Sequence, residues 1–395
     1  MRIILKHVVV LAICAGVAYP AFSQSPDLSI VVDKVPEATI DYQLIQVASG
    51  FSHPSSIAFL PNDAYLIGER NAGISIVSGG ERYPVTGLPE IHVGRQAGLH
   101  DVALHPDFIN NRLVYFSFSE GSRNANGTAL ARAKLVVTEH REKSKGTNAR
   151  ISAKLENLEI IFSDSPKRDS SLHYGGRILF LPDGTLLLTT GEAYKHRDLS
   201  PKLDNHYGKI IRINDDGTVP KDNPFANTAG AKPEIYTYGH RNPQGLIRLP
   251  NGRILAHEHG PRGGDEVNEI RAGADYGWPR ISYGINYIGT KVSDYSALAG
   301  MEQSLVHFVP SIAPSGFTYY DGELFPKWKG DLFLGGLKSK QVRRIEMNRD
   351  GSLGDQEALF TELKQRIRDV ETGPDGALYF VTDSKNGALY RVIPK

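Results

Sequence analysis

Along the chain, a proline-centred polar turn followed by a short apolar strand recurs six times. The copies are LPNDAYLIGER from Leu60, HPDFINNRLVYFSFSE from His105, LPDGTLLLTTGE from Leu181, LPNGRILAHEHG from Leu249, FPKWKGDLFLGGLK from Phe325 and GPDGALYFVTDS from Gly373. Each reads as a hairpin turn and a strand whose far end becomes polar: Glu69-Arg70, Ser119-Glu120, Gly191-Glu192, Glu258-His259, Leu337-Lys338 and Thr382-Asp383. A unit repeated this way predicts repeated sheets. Six of them packed radially make an all-β, six-bladed β-propeller, with the polar strand ends converging near the central channel. The spacing between copies is uneven, which predicts long inserted loops, and such loops in compact domains are usually functional. A pair of sheets in a β-sandwich is the alternative fold.

The fourth copy has the richest flanks. In Tyr238–Ile270 a polar loop, His240-Arg241-Asn242-Pro243-Gln244-Gly245, precedes a hairpin turning at Leu249-Pro250-Asn251-Gly252. A second loop, Gly260-Pro261-Arg262-Gly263-Gly264-Asp265-Glu266, follows it. Both loops should lie at one end of that hairpin. The first offers a guanidinium fork and side-chain amides suited to carboxylate or carbonyl oxygens. The second offers flexible backbone carbonyls and two acids suited to a hard cation such as calcium. Together they imply a ligand both anionic and metal-chelating.

Composition narrows the class. With 45 Lys+Arg against 44 Asp+Glu, nothing drives the chain towards nucleic acid or an anionic membrane. Forty glycines, 23 prolines and 18 tyrosines suit many turns and strands. Arg2, Lys6 and His7 precede an apolar run from Val8 to Val17, and Ala21-Phe22-Ser23 supplies small residues for cleavage. Residues 1–23 thus read as a secretory signal peptide, too short to span a membrane. The rest, 24–395, reads as a single propeller domain, secreted and periplasmic, with no stable membrane insertion. The only cysteine, Cys14, lies in the leader, so no disulfide staples the mature chain. The lysine-rich Glu139–Arg150 stretch reads as a solvated loop or hairpin tip.

Several other residues could carry chemistry. His173 stands in a glycine-rich context before a strand, and an imidazole there can take a proton from a hydroxyl. Arg366 and Arg368 share one face of an extended segment by the two-residue period, so an anion between them, or an acid such as Asp369, would relieve their repulsion. Gln96 and Lys338 fall at candidate channel-side positions. No zinc motif, Rossmann fingerprint or nucleophile elbow is present.

In order along the chain, GLHDVALHPDF, HYGGRILFLPDGTLLLTTGE, GKIIRINDDG, YGHRNPQG, EHGPRGGDEVN, DYGWP, SIAPSGFTYY and RIRDVETGPDG resemble the soluble quinoprotein glucose/sorbosone dehydrogenase family, and within it the bacterial aldose sugar dehydrogenases. The resemblance runs from about Gln43 to the C-terminus. It implies a propeller that binds pyrroloquinoline quinone (PQQ) and calcium and oxidises the C1 hydroxyl of aldose sugars to the lactone. His173 would be the general base, with hydride passing to the quinone. Gln96, Arg241, Asn242, Lys338, Arg366 and Arg368 match residues that hold the cofactor, and Gln244 lies beside them. Arg241 would also stabilise charge developing on the quinone oxygen. Gly260 and Pro261 match carbonyls that bind the cofactor's calcium, and Glu266 and Tyr276 match ligands of a structural calcium. An electron acceptor, which the motifs do not identify, would complete the cycle.

Two departures stand out. Glucose-oxidising relatives carry an acid immediately before the histidine, where this chain has Leu172, so something else must orient the imidazole. Asn286 falls near an expected acid after DYGWP, which argues against a peripheral calcium pair linked to dimerisation. The alternatives are a non-enzymatic propeller binding module, which has no use for Arg241, Lys338, Arg366 and Arg368 together, and a calcium-dependent propeller lactonase. The lactonase would need acids converging in the channel, and the motifs place none there.

Overall fold

A computed structural model describes residues 40–140 and 151–395 in full, and residues 29–32 and 150 by backbone alone. The expected signal peptide lies outside the described residues. The fold is an all-β propeller. Apart from Ser29–Val32, which pairs antiparallel on the outside of Tyr42–Phe51, the described strands sort into six four-stranded antiparallel units, and each repeated turn joins the first and second strands of a unit. The third unit shows the pattern: Gly175–Phe180, Thr185–Thr190, Lys209–Asn214 and Ile235–Tyr238, in that order across the sheet.

The first strands of the units are Pro54–Leu60, Leu99–Leu104, Gly175–Phe180, Pro243–Arg248, Pro314–Tyr319 and Ile367–Thr372. Each contacts the next, and the last returns to the first, which closes a ring. The sixth unit has only three strands of its own. Tyr42–Phe51 supplies the fourth by pairing antiparallel with Gly387–Pro394, from Tyr42↔Pro394 to Phe51↔Gly387. Two segments from opposite ends of the described chain thus share one sheet, and that pairing closes the ring. The first two units merge into one eight-stranded sheet through a parallel contact, Ala153↔Val85 and Lys154↔Thr86. The strands that reach across, Ala125–His140 and Arg150–Ser163, pair with each other on both sides of residues 141–149, which lie outside the described residues.

The apolar core lies between units rather than within one. Second strands are buried on both faces, so they read as continuous apolar runs. In Thr185–Thr190, Leu186 and Leu188 pack with Tyr115 and Leu130 of the second unit. Leu187 points the other way, against Leu246 and Ala256 of the fourth. Outer strands such as Leu353–Leu359 keep a solvated face and carry charge.

Candidate active site

The hairpin of Pro243–Arg248 and Ile254–Glu258 holds both of its polar loops at one end. Glu258 fastens the first loop. Its carboxylate hydrogen-bonds with His240 Nδ1 at 2.8 Å and accepts from the backbone N–H groups of Arg241 (2.5 Å) and Asn242 (3.3 Å). Arg241 then reaches the second loop, donating through Nη1 to the carbonyls of His259 and Gly260, both at 3.0 Å. Only glycine fits at 260, because a Cβ would come within 2.3–2.4 Å of the Gly263 and Gly264 backbone. The other face of the Arg241 guanidinium lies 5.3 Å from the centre of the Trp278 ring.

His173 is held from three sides. Its backbone sits in the left-handed region at φ 54°, a conformation a non-glycine residue keeps only when its surroundings enforce it. Gln96 Oε1 accepts from His173 N at 2.8 Å, and the buried Arg168 donates to His173 O at 2.7 Å. On the side chain, Glu192 Oε1 meets Nδ1 at 3.0 Å. Glu192 therefore fills the role that the residue before the histidine, Leu172, cannot. It sits at the polar end of Thr185–Thr190, and Gly191 lets it approach: a Cβ there would lie 2.1 Å from His173 O. With Nδ1 engaged, Nε2 has no partner among the described residues. Burial lowers the His173 pKa, the nearby Arg241 lowers it further, and Glu192 opposes both. The net effect keeps the ring neutral and able to accept a proton.

Beside His173 lies a cleft of roughly 480 Å³. Gln96, Asn242, Gln244, Arg366 and Arg368 all line it. Asn242 Oδ1 accepts from Gly175 N at 3.1 Å, and Gln244 Oε1 accepts from Arg368 Nη1 at 3.4 Å. Arg366 and Arg368 do share an acid, but it is Asp383 rather than Asp369, at 3.1 and 3.2 Å. His53 (2.7 Å) and Arg70 (3.5 Å) join the same carboxylate. Burial alone would raise the Asp383 pKa. Arg368, Arg70, His53 and Arg366 overcome that and hold it well below the usual carboxylate range. Even so, burial and its cationic neighbours Arg70, Arg366 and Arg177 lower Arg368 to about 10, against the pull of Asp383. Five arginines and a single carboxylate line the cleft: Arg70, Arg95, Arg177, Arg366 and Arg368 against Asp383.

A family model for glucose/sorbosone dehydrogenase matches residues 51–391. The chain belongs to the glucose/sorbosone dehydrogenase family. It is 38% identical to the Escherichia coli (strain K12) aldose sugar dehydrogenase YliI, over 91% of this chain and 94% of that protein. The apo-form crystal structure of the soluble E. coli aldose sugar dehydrogenase superposes with a TM-score of 0.82 at 36% identity, covering 90% of this chain and all of that one. The PQQ-bound aldose sugar dehydrogenase of Streptomyces coelicolor gives 0.70 at 25% identity, covering 93% and 98%.

In this family member His173, Arg241 and the remaining expected site residues are not part of the cleft lining itself. Lys338 is exposed, does not line the cleft, and borders a separate cavity with His307, Val309 and Arg343. It stands in the turn at 337–340, one residue past Leu337, which does line the cleft. Gly260 and Pro261 are buried beside Arg241. Glu266 stands opposite Glu258 across the sheet. Burial and Glu258 push its pKa up to about 8, while the Oδ1 of the neighbouring Asn268 is buried with no partner. Tyr276 stacks on His240 at 4.4 Å, and its hydroxyl donates to Glu269 O and accepts from Arg271 N. Only its carbonyl is open to a cation. Asn286 accepts from Arg197 Nη1 at 3.4 Å and braces a small hairpin through Thr290 and Lys291.

Acids do stand next to the cleft, contrary to the reading of the motifs. Arg177, in the cleft wall, contacts Asp369 at 2.9 Å and Asp101 at 3.4 Å. Both acids also accept backbone N–H groups, from Ile57 and Ile178. Both are held by Arg177 and by backbone N–H groups, and strand alternation turns Asp369 away from its neighbour Arg368. Sequence reasoning missed Glu192, Asp383, Arg70, His53 and Arg168 as site residues. The first three were visible as polar ends of second strands, which was the available signal.

Proposed function

We propose that this protein is a PQQ- and calcium-dependent aldose dehydrogenase that oxidises the C1 hydroxyl of the sugar to the lactone. The observation that carries this reading is the cleft itself: an excess of guanidinium groups beside a neutral, partnered histidine with a free Nε2. Such a cleft fits a polyanionic tricarboxylate quinone, since the crowded Arg366 and Arg368 gain from an added anion. Arg366, Arg368, Gln244, Asn242 and Gln96 would hold the group. The Gly260 and Pro261 carbonyls would face its calcium. The paired acids Glu258 and Glu266, with the unpartnered Asn268 Oδ1 and the Tyr276 carbonyl, suit a separate structural cation. Among the described residues no cluster of three or more His, Cys, Asp or Glu side chains forms a metal site, so carbonyl ligands are needed in both places.

When bound, the quinone supplies the two-electron acceptor. The protein's own part is positioning and proton transfer. Glu192 accepts the Nδ1 hydrogen of His173 and so presents the Nε2 lone pair to the sugar. As Nε2 takes the C1 hydroxyl proton, the Glu192 carboxylate stabilises the imidazolium. Arg241, fixed by two carbonyls, keeps its charge at the second loop without rearrangement. Among the described residues no helix is long and apolar enough to cross a membrane. We place the enzyme as a secreted, periplasmic protein on the character of residues 1–23. The test is to add PQQ and calcium to purified apoprotein, follow the absorbance change, and then add an aldose. Bleaching of the bound quinone is expected. Sugar oxidation that persists after exhaustive chelation with quinone absent would overturn the reading.

A further inference from the structure

We infer that Tyr194 is the platform on which the sugar ring lies, and so a specificity-determining residue; this rests on the aldose dehydrogenase reading above. Its ring centre is 5.5 Å from that of His173, with the planes at 81°. Yet Tyr194 is 47% exposed, while His173 is buried. The exposed tyrosine ring thus stands edge-to-face with the candidate base and is open for a ligand to cover.

The backbone argues that the placement is enforced. Ala193 and Tyr194 are successive non-glycine residues in the left-handed region, at φ 62° and 65°. L-residues rarely adopt that conformation, and it persists where the surroundings over-determine it. Here they do. Glu192 N donates to Arg241 O at 2.9 Å, Ala193 is fully buried, and Lys195 N donates back to Ala193 O at 2.7 Å. Beyond them, Lys195 Nζ reaches Asp169 at 2.9 Å, and His196 stacks on Tyr207 at 5.0 Å with an interplanar angle of 7°. The loop is pinned on both sides of an exposed ring.

His173 does not need Tyr194 for orientation. Glu192 fixes its side chain, and Gln96 and Arg168 fix its backbone. A sugar whose C1 hydroxyl meets Nε2 places its ring next to the imidazole, and the Tyr194 ring centre stands 5.5 Å from the centre of that imidazole. One face of an aldopyranose presents C–H groups, which suit the apolar body of the tyrosine. The phenolic hydroxyl has no partner among the described residues and can meet a ring hydroxyl. Sugars whose C–H groups lie on the face opposite Tyr194 would be disfavoured, so this position selects by stereochemistry.

The test uses Tyr194→Asn and Tyr194→Phe in the quinone- and calcium-loaded protein. Asparagine tolerates the left-handed backbone, so the change removes the ring without adding strain. With D-glucose and a panel of other aldopyranoses, Tyr194→Asn should raise KM roughly 5- to 30-fold while kcat changes less than about threefold. The pH limb of kcat/KM and the quinone affinity should stay in place. Tyr194→Phe should bring KM back to within about threefold of the parent, because it keeps the face. Saturation-transfer NMR reads binding without turnover: the parent should saturate the sugar's ring C–H protons, and Tyr194→Asn should not. An unchanged KM, or a fall in kcat with a shifted pH limb at constant KM, would overturn the inference and make the ring a brace for His173. Absence of ring-proton saturation in the parent would also overturn it. Failure of the parent to bleach with any aldose would instead remove the aldose dehydrogenase reading, and the NMR measurement would still decide whether Tyr194 binds a sugar.

Discussion

Replacing Glu192 with glutamine isolates the contact that the structure supplies in place of an acid before His173. The substitution is nearly isosteric, and it removes the charge 3.0 Å from Nδ1 and 4.0 Å from Arg241 Nε. A hydrogen bond to a charged group is worth ~1.5–3 kcal/mol, and each 1.4 kcal/mol is tenfold in rate. The loss falls on the step in which the imidazolium forms, so kcat should drop by roughly 10- to 150-fold with little change in KM. The pH profile gives a second, independent reading. Burial and Arg241 lower the His173 pKa, and Glu192 opposes them. Without Glu192 that opposition is gone, the neutral ring persists to lower pH, and the rising limb of kcat/KM should move to lower pH even as the rate falls. The buried Oε2 of Glu192 has no partner, so thermal stability should not decline in step with activity. The assay is single-turnover reduction of bound quinone by sugar across a pH series, with quinone affinity measured alongside. A rate within about twofold of the parent and an unmoved limb would refute the idea that Glu192 acts through His173.

Three further outcomes are expected. His173→Ala should retain quinone and calcium but lose ~10²–10⁴-fold in quinone reduction by sugar; reduction at the parent rate with the cofactor fully bound would remove His173 as the base. Arg368→Ala should weaken quinone binding by roughly one to two decades, and Arg366→Ala by less, because Arg366 is half exposed and solvent-screened; quinone titration beside apoprotein melting checks this, and a large fall in melting temperature at unchanged affinity would make the pair a structural partner of Asp383. Glu266 carries a raised pKa of about 8 against an ordinary 4.5, so the folded apoprotein holds the proton more tightly than the unfolded chain and should lose stability as pH rises from 4.5 through 8. Added calcium should therefore raise the melting temperature more at pH 8 than at pH 6, whereas Glu266→Gln should flatten both dependences.

The residues that resemble a known family were legible as motifs, and several were brought together as their spacing suggested. Arg241 and Gly260 meet because one hairpin fixes both loops, a local geometry that turn chemistry encodes. Arg366 and Arg368 share a face because strand residues alternate. Their partner was not legible: Asp383 reaches them from the next strand, whereas the adjacent Asp369 belongs to Arg177. Lys338 stands exposed in the turn at 337–340, a placement its motif did not specify, because the course of a turn past the cleft depends on the units around it. Leu172 left the orienter of His173 open, and Glu192 fills it from the end of a strand that looked like core.

By itself the sequence determined the period, because each proline-centred turn and apolar strand is a local unit with its own conformational preference. It also determined which strand ends would be polar. What only the tertiary structure decided is how those units close and what their ends meet. Tyr42–Phe51 completes the sixth unit across nearly the whole length of the chain, and no local preference specifies that pairing. Leu186 and Leu187 face opposite neighbours, so an unbroken apolar run gives no hint of which unit lies on which side. The cleft follows from that closure. Its five arginines and its one carboxylate come from different units, and their charges act on one another only once the ring has brought them together in a place largely shielded from water.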